Sequence, residues 1–267
     1  MSITGFVRRY WHRALLSWAM WKAGHSKAQI GLDRPNWNES LCNPLAFYLE
    51  CLRHFQLELR PELRAHRAYF DNDHRGFGEH VFHVMWSLLL EEFKPRDFLE
   101  IGVYRGQVIS LVALWSRIHG RSCEVHGISP FSGACDSSST YRQNFDYYQD
   151  TLKNFERFDL PRPNLLRAYS TDPEAVALLR SRSWEMIYID GNHDYEVVLK
   201  DWDECSRSLK NGGVAVLDDA GITPRYNPAK YASGGHVGPS RLAEEIDRSK
   251  FREILQVGHN RAFQKVG

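Results

Sequence analysis

The chain predicts an α/β protein built on a mostly parallel sheet with helices on both faces, preceded by a helical extension. Three observations carry this. From Asp97 onward, short apolar runs alternate with helical stretches, the pattern of βαβ units. Two of those runs, Ile187-Tyr-Ile-Asp190 and Val214-Ala-Val-Leu-Asp-Asp219, end in acidic residues with a helical stretch between them. Before residue 95 there is no strand alternation, and apolar residues recur at helical steps. In a parallel sheet both acidic endings fall on the carboxyl edge, where open α/β sheets bind ligands.

The extension is expected over 1–94 and the sheet domain over 95–267. A first helix near 6–21 sets Ile3, Val7, Tyr10, Ala14, Trp18 and Trp21 on one face. Arg13 interrupts the apolar core that a secretory signal needs. The helix therefore reads as packing on the main domain or on a second subunit of a homo-oligomer. The other reading is a peripheral membrane contact, with Arg8, Arg9, Arg13 and Lys22 toward anionic headgroups. Turn residues make 31–40 a loop and 71–78 a break, leaving helices at 44–59, 62–70 and 80–93, the last burying Val81, Val84, Met85 and Leu88.

In the sheet domain, strands are expected at 98–101, 123–128, 164–168, 185–189, 213–217, 253–257 and 261–266, seven in all. Helices fall at 105–118, through 158, from Pro173, and at 195–209 and 240–249. Pro173 suits a first helical turn and Asp172 its N-cap. The last two strands form a hairpin across Gly258-His-Asn260. Residues 220–239 form a connection long enough to be a lid or binding loop.

A formal net charge of +1 supplies no field that would demand nucleic acid. Five cysteines, none in a CxxC pair, point to a reducing, cytoplasmic setting and away from a disulfide framework or zinc site. No apolar run is long enough to span a bilayer.

Asp190, Asp218 and Asp219 would repel one another unless a cation or protons held them, and a hard divalent cation such as Mg suits an all-oxygen set. The first strand ends in Glu100-Ile-Gly102-Val-Tyr104-Arg-Gly106. This is not GxGxxG and has no GK[ST], so a dinucleotide fingerprint is disfavoured and a P-loop excluded. Glu100 would repel a pyrophosphate but suits an ammonium or ribose hydroxyls.

Taken in order, E-x-G-x-x-x-G, I-D-G-x-H-x-Y and G-G-V-x-V-x-D-D resemble class I S-adenosylmethionine-dependent methyltransferases with a Rossmann-like fold. More narrowly, they are similar to the metal-dependent sugar O-methyltransferases of the macrocin and mycinamicin type. The resemblance covers about 95–266. It implies that Glu100, Gly102, Tyr104 and Gly106 wrap the methionine end of the cofactor, and that Asp190 lies beside it. Ser129 stands where an acidic residue would chelate the ribose, with Asp136 as the alternative source of charge, and Ser170 falls at the adenine. Asp190, Asp218 and Asp219 match the metal ligands. His193 matches the general base, its neighbour Asn192 being unable to accept a proton, and Asp194 would orient the imidazole.

The expected reaction is methylation of a hydroxyl on a sugar or glycoconjugate acceptor. A catechol-like phenol acceptor and a non-catalytic cofactor-binding scaffold are the alternatives, with a nicotinamide oxidoreductase more distant. For acceptor contacts the sequence offers Tyr104, Tyr195, His236 and the stretch from Arg225 to Tyr231, with His74 and Arg75 reaching in from the extension.

Overall fold

Seven strands carry the structure, a computed structural model that describes residues 3–133, 136 and 141–267, the side chains of 3–13 and His74 excepted. The strands are β1 (Asp97–Ile101), β2 (Glu124–Ser129), β3 (Asn164–Arg167), β4 (Trp184–Ile189), β5 (Leu209–Leu217), β6 (Phe251–Val257) and β7 (Asn260–Lys265). They form one sheet in the order β3-β2-β1-β4-β5-β7-β6. β1 to β5 pair in parallel, while β7 runs antiparallel between β5 and β6. This is the Rossmann-like α/β architecture that the sequence predicts, strand for strand. The order reverses at β1, which pairs with both β2 and β4, and such a switch point opens a crevice at the carboxyl edge.

Alternation along the strands sets two apolar layers. Leu99 and Ile101 of β1, Ile187 and Ile189 of β4, and Ala215 and Leu217 of β5 share one cluster with Ala175 and Leu179 of α8 (Pro173–Arg180). Val198, Trp202 and Cys205 of α9 (Tyr195–Ser208) and Leu242 and Ala243 of α10 (Val237–Glu245) complete it. On the other face, Phe98, Met186, Tyr188, Val214 and Val216 join α6 (Gln107–Ile118) and α7 (Tyr147–Arg157).

That second cluster also takes in the helical extension, which comprises α1 (Ile3–Gly24), α2 (Asn38–Cys42), α3 (Pro44–Leu57), α4 (Pro61–Asp71) and α5 (His80–Phe93). Trp86 of α5 stands edge-on to Phe98 and Tyr188, ring centroids 5.5 and 5.1 Å away. The extension thus covers one face of the sheet, and the start of α5 lies beside the carboxyl edge.

Three expectations shift. Residues 38–42 are helical rather than loop, because Ser40 is pinned under the sheet, where its hydroxyl accepts from Gln256 N. The last helix starts at Val237 and ends at Glu245, since Asp247 then accepts from Ser249 and closes a turn. Asp172 sits at the N-cap of α8, but its carboxylate accepts from Tyr169 N instead of from the helix. Trp18 and Trp21 are 58% and 61% exposed. The face assigned to Ile3, Val7 and Tyr10 and the roles of Arg8, Arg9 and Arg13 lie outside the described side chains, as does Cys135. Among the described residues, no helix is long and apolar enough to cross a membrane.

Candidate active site

Hydrogen bonds that continue the ladder past the strand ends draw the site together. Gly102 N donates to Ile128 O, Asp190 N to Ile101 O and Asp218 N to Ile189 O, each at 2.9–3.0 Å. The ends of β1, β2, β4 and β5 are therefore held side by side. Gly102 is required at the first of these: its φ is +96°, and a Cβ would lie 1.7 Å from Asp190 O. The loop after β1 is pressed directly onto the end of β4.

Two cavities open at this edge and share Gly102, Tyr104, Tyr141 and Asp190. One, of 320 Å³, lies across the ends of β1 to β4. Ser129, Phe131, Asp136, Tyr169, Ser170 and Gly191 line it. The other, of 380 Å³, holds Glu100, His193, Asp218, Asp219, His236 and His259, with Arg75, Phe77, Phe82, His83 and Trp86 of the extension as its far wall.

Asp190, Asp218 and Asp219 line one cavity. Among the described residues, however, the groups whose ligand atoms all lie within 4.8 Å of one another are Asp218, Asp219 and His259, and His193, Asp219 and His236, with Asp190 outside both. Burial, then the charge of Asp218, pushes the Asp190 carboxyl well above the usual range, and burial beside Asp219 raises Asp218 as well. Asp219 is held down: burial opposes its charge, but His193, His259 and His236 outweigh it. Burial lifts Glu100 to about 8, although its carboxylate accepts from Ile109 N at 3.0 Å. Asp218 Oδ1 is buried and has no hydrogen-bond partner among the described residues. Clustered carboxyls, one with an orphaned buried oxygen, fit a divalent cation.

His193 is clamped. Nδ1 lies 2.6 Å from Asp136 Oδ2, which also accepts from the His193 backbone N–H at 3.2 Å, and Nε2 lies 3.0 Å from Asp219 Oδ2. Burial opposes a charge on the ring, but Asp219 and then Asp136 prevail and raise its pKa to about 8. The imidazole contact is thus made by Asp136. The 2.6 Å bond gives that residue the orienting task expected of Asp194, which occupies the N-cap of α9.

The remaining residues divide. Tyr104 lines both cavities and packs on Phe77, Tyr141 and Tyr147. Ser129 accepts from Phe131 N at 3.3 Å. Gly106 stands outside both cavities at the start of α6, where a Cβ would meet Thr151 Cγ2 at 2.7 Å, so it sets the packing of the turn on α7. Arg75 and His236 line the larger cavity, His236 Nε2 lying 3.6 Å from Asp219. Tyr195 is outside, bonded to Glu245 under the Arg241 guanidinium. Arg225 lines a separate cavity beside Arg248 and Arg261, and Tyr231 packs on Tyr48.

Sequence reasoning missed His259, in the β6–β7 turn, whose Nε2 lies 3.5 Å from Asp218 and 3.7 Å from Asp219. It missed Glu79 too. That carboxylate accepts from Tyr48 Oη at 2.6 Å and from Ser233 N at 2.8 Å, tying the extension to the 220–239 loop. Alternation of chemistry at a hairpin tip gave the only signal for His259, and Glu79 gave none.

Several solved structures share this fold. A Staphylococcus aureus protein assigned as a caffeoyl-CoA O-methyltransferase is 13% identical, with 78% of this chain and 93% of that chain covered and a TM-score of 0.55. Cofactor-bound Rv0187 from MTB is 18% identical, with 81% and 95% covered and a TM-score of 0.55. The SAH-bound methyltransferase PaMTH1 of Podospora anserina is 15% identical, with 78% and 89% covered and a TM-score of 0.53. No curated protein matches the sequence. At such identities the likeness is one of fold. The sequence itself matches a family model, Methyltransf_24, described as a methyltransferase domain, over residues 99–220, a span from β1 to just past Asp219. Over those residues the chain is therefore an enzyme domain of the methyltransferase class.

Proposed function

We propose that the protein transfers a methyl group from S-adenosylmethionine to a hydroxyl of a sugar or glycoconjugate, at a site that also holds a divalent cation, Mg by preference. The observation that carries this is the pair of cavities meeting at Gly102, Tyr104, Tyr141 and Asp190. One has the makings of a donor pocket: hydroxyls from Ser129 and Ser170, and the rings of Phe131 and Tyr169, at the ends of β1 to β4. The other collects carboxylates and imidazoles under an aromatic wall, as a polyhydroxylated acceptor needs. Their shared edge is where donor carbon and acceptor oxygen would meet.

Asp190, Asp218 and Asp219 would hold the cation. When bound, it neutralises their mutual repulsion and lowers the pKa of a hydroxyl beside it. The chain's own residues then supply position and proton transfer. Nδ1–H of His193 donates to Asp136, which fixes the ring and its tautomer. Nε2 faces Asp219 at the larger cavity; with the ring's pKa raised to about 8 it carries a proton there, and it would take the acceptor's proton only once a cation on Asp219 had drawn that pKa down. Glu100, buried at the end of β1, lines the larger cavity rather than the donor pocket, and with its pKa raised to about 8 it would meet the ammonium of the donor's methionine end as a charge only if that group bound beside it.

Calorimetric titration of S-adenosylhomocysteine with and without Mg tests the reading, followed by methyl transfer to simple glycosides and to catechol. Micromolar binding and turnover of a glycoside support it. Turnover of catechol alone moves the acceptor to phenols, and absence of binding leaves a scaffold.

A further inference from the structure

Asp219 presents its two oxygens to different partners. Oδ2 faces His193 at 3.0 Å and His236 at 3.6 Å, whereas Oδ1 faces a third imidazole, that of His259, at 3.7 Å. The same Nε2 of His259 lies 3.5 Å from Asp218 Oδ1, which has no hydrogen-bond partner among the described residues. Both separations exceed an ordinary hydrogen bond. They are near the span between two atoms that each lie about 2.1 Å from one shared ion. Asp218, Asp219 and His259 line the larger cavity together, and their candidate ligand atoms all fall within 4.8 Å of one another.

His259 is built into that position. At the tip of the β6–β7 hairpin its carbonyl accepts from Ala220 N at 2.7 Å, which fastens the turn to the chain just past Asp219. Glycine is needed at 221, where a Cβ would lie 2.7 Å from His259 Cα. Phe82 of α5 stands edge-on to the ring, with centroids 4.7 Å apart. Nδ1 faces Ser233 O at 3.4 Å and Glu79 Oε1 at 3.9 Å, so its hydrogen is drawn to that side. Nε2 is then the nitrogen left for a ligand, as in metal-binding histidines whose other nitrogen donates to a carbonyl or carboxylate. Burial opposes a charge on the ring, but Asp218, Asp219 and Glu79 outweigh it and raise the pKa, so a cation binding here displaces a proton.

We infer that His259 Nε2 is a nitrogen ligand of the cation, acting with Asp218 and Asp219. This rests on the cation site proposed above and adds a ligand that the aspartates do not supply. It also divides Asp219, with Oδ1 toward the cation and Oδ2 toward the His193 imidazole.

Crystals of the full chain soaked in manganese chloride test this, the ion being located by its anomalous scattering. The expected peak is bonded to His259 Nε2 and to one oxygen each of Asp218 and Asp219. A peak on the aspartates with His259 unbonded overturns the assignment but leaves the cation reading standing, with the ring as a protonated counter-charge. A peak between His193 and His236, the other group that converges on Asp219, overturns it as well. No peak at this edge overturns it and takes the cation reading with it, while S-adenosylhomocysteine binding still decides methyl transfer. In solution, Mn and Mg are titrated separately into wild type, His259→Ala and His236→Ala. Loss of the His259 nitrogen is expected to weaken Mn binding about tenfold or more and Mg binding less, with His236→Ala near wild type. Wild-type Mn affinity in His259→Ala overturns the assignment. If that variant does not fold, the wild-type diffraction decides.

Discussion

Replacing Asp201 with asparagine should stabilise the protein at neutral pH, and the size of the effect follows from its surroundings. Asp201 lies on α9 beneath the donor cavity, 3% exposed, with Oδ2 buried and unpartnered. Burial raises its pKa to about 6, a hydrogen bond from Ser170 only partly offsetting it. In the unfolded chain an aspartate titrates near about 3.9. Between those values the folded protein holds a proton that the unfolded chain has released, so stability falls as pH rises through the window. A shift of about 2 units amounts to about 3 kcal/mol, complete above about pH 7, with about 2 kcal/mol of it falling between about pH 4.5 and 7.5. Asparagine keeps an acceptor for Ser170 and places an amide where Oδ2 was, at a cost of about 1 kcal/mol that does not vary with pH. Urea denaturation of both proteins across this range should give curves that diverge as pH rises, the variant about 2 kcal/mol the more stable at the top. Parallel curves, or a wild type that gains on the variant with rising pH, would refute the reasoning.

Other perturbations read the site directly. His193→Ala should cut turnover by about 10² to 10⁴, with S-adenosylhomocysteine affinity nearly unchanged by calorimetry; unaltered turnover removes it as the base. Dialysis against a chelator should abolish methyl transfer and Mg or Mn restore it, so a rate indifferent to chelator rejects the three-aspartate cation site. At Gly238 a Cβ would lie 2.2 Å from His193 O, so Gly238→Ala should displace His193 and lower kcat about tenfold or more with the circular dichroism spectrum intact. Glu79→Ala frees Ser233 N and Tyr48 Oη, and should cost about 2 kcal/mol and speed proteolysis within 220–239; protection equal to wild type would show that the tie is idle.

The strands were legible because each carries its own signal. Alternation in Phe98-Leu99-Glu100-Ile101 assigns two faces within four residues, and the acidic endings after Ile189 and Leu217 fix which edge bears the chemistry. The hairpin across 258–259 was equally local. Element edges were less so. Whether 38–42 coils or loops depends on Ser40 meeting Gln256, 216 residues away, and no window along the chain contains that contact.

The same distinction explains which site residues were found. Asp190, Asp218, Asp219 and His193 sit on strand ends or one short turn beyond, so their convergence follows from the order of strands alone. Their partners come from elsewhere. Asp136 reaches His193 across 57 residues, and Glu79 reaches Ser233 across 154. Loop paths set such contacts, and a loop's path is decided by what it packs on. Asp136 shows the consequence: from sequence it was a substitute for the missing ribose carboxylate near Ser129, whereas the 2.6 Å bond commits its Oδ2 to the imidazole. A carboxylate so engaged is poorly placed to chelate ribose as well, so on the proposed methyl-transfer reading Ser129 would be the ribose contact. Ser129→Asp therefore adds the acidic residue at the end of β2 and should tighten S-adenosylhomocysteine binding, while Asp136→Asn should spare that affinity and slow turnover. The reverse pattern would return Asp136 to the ribose and leave His193 oriented by something else.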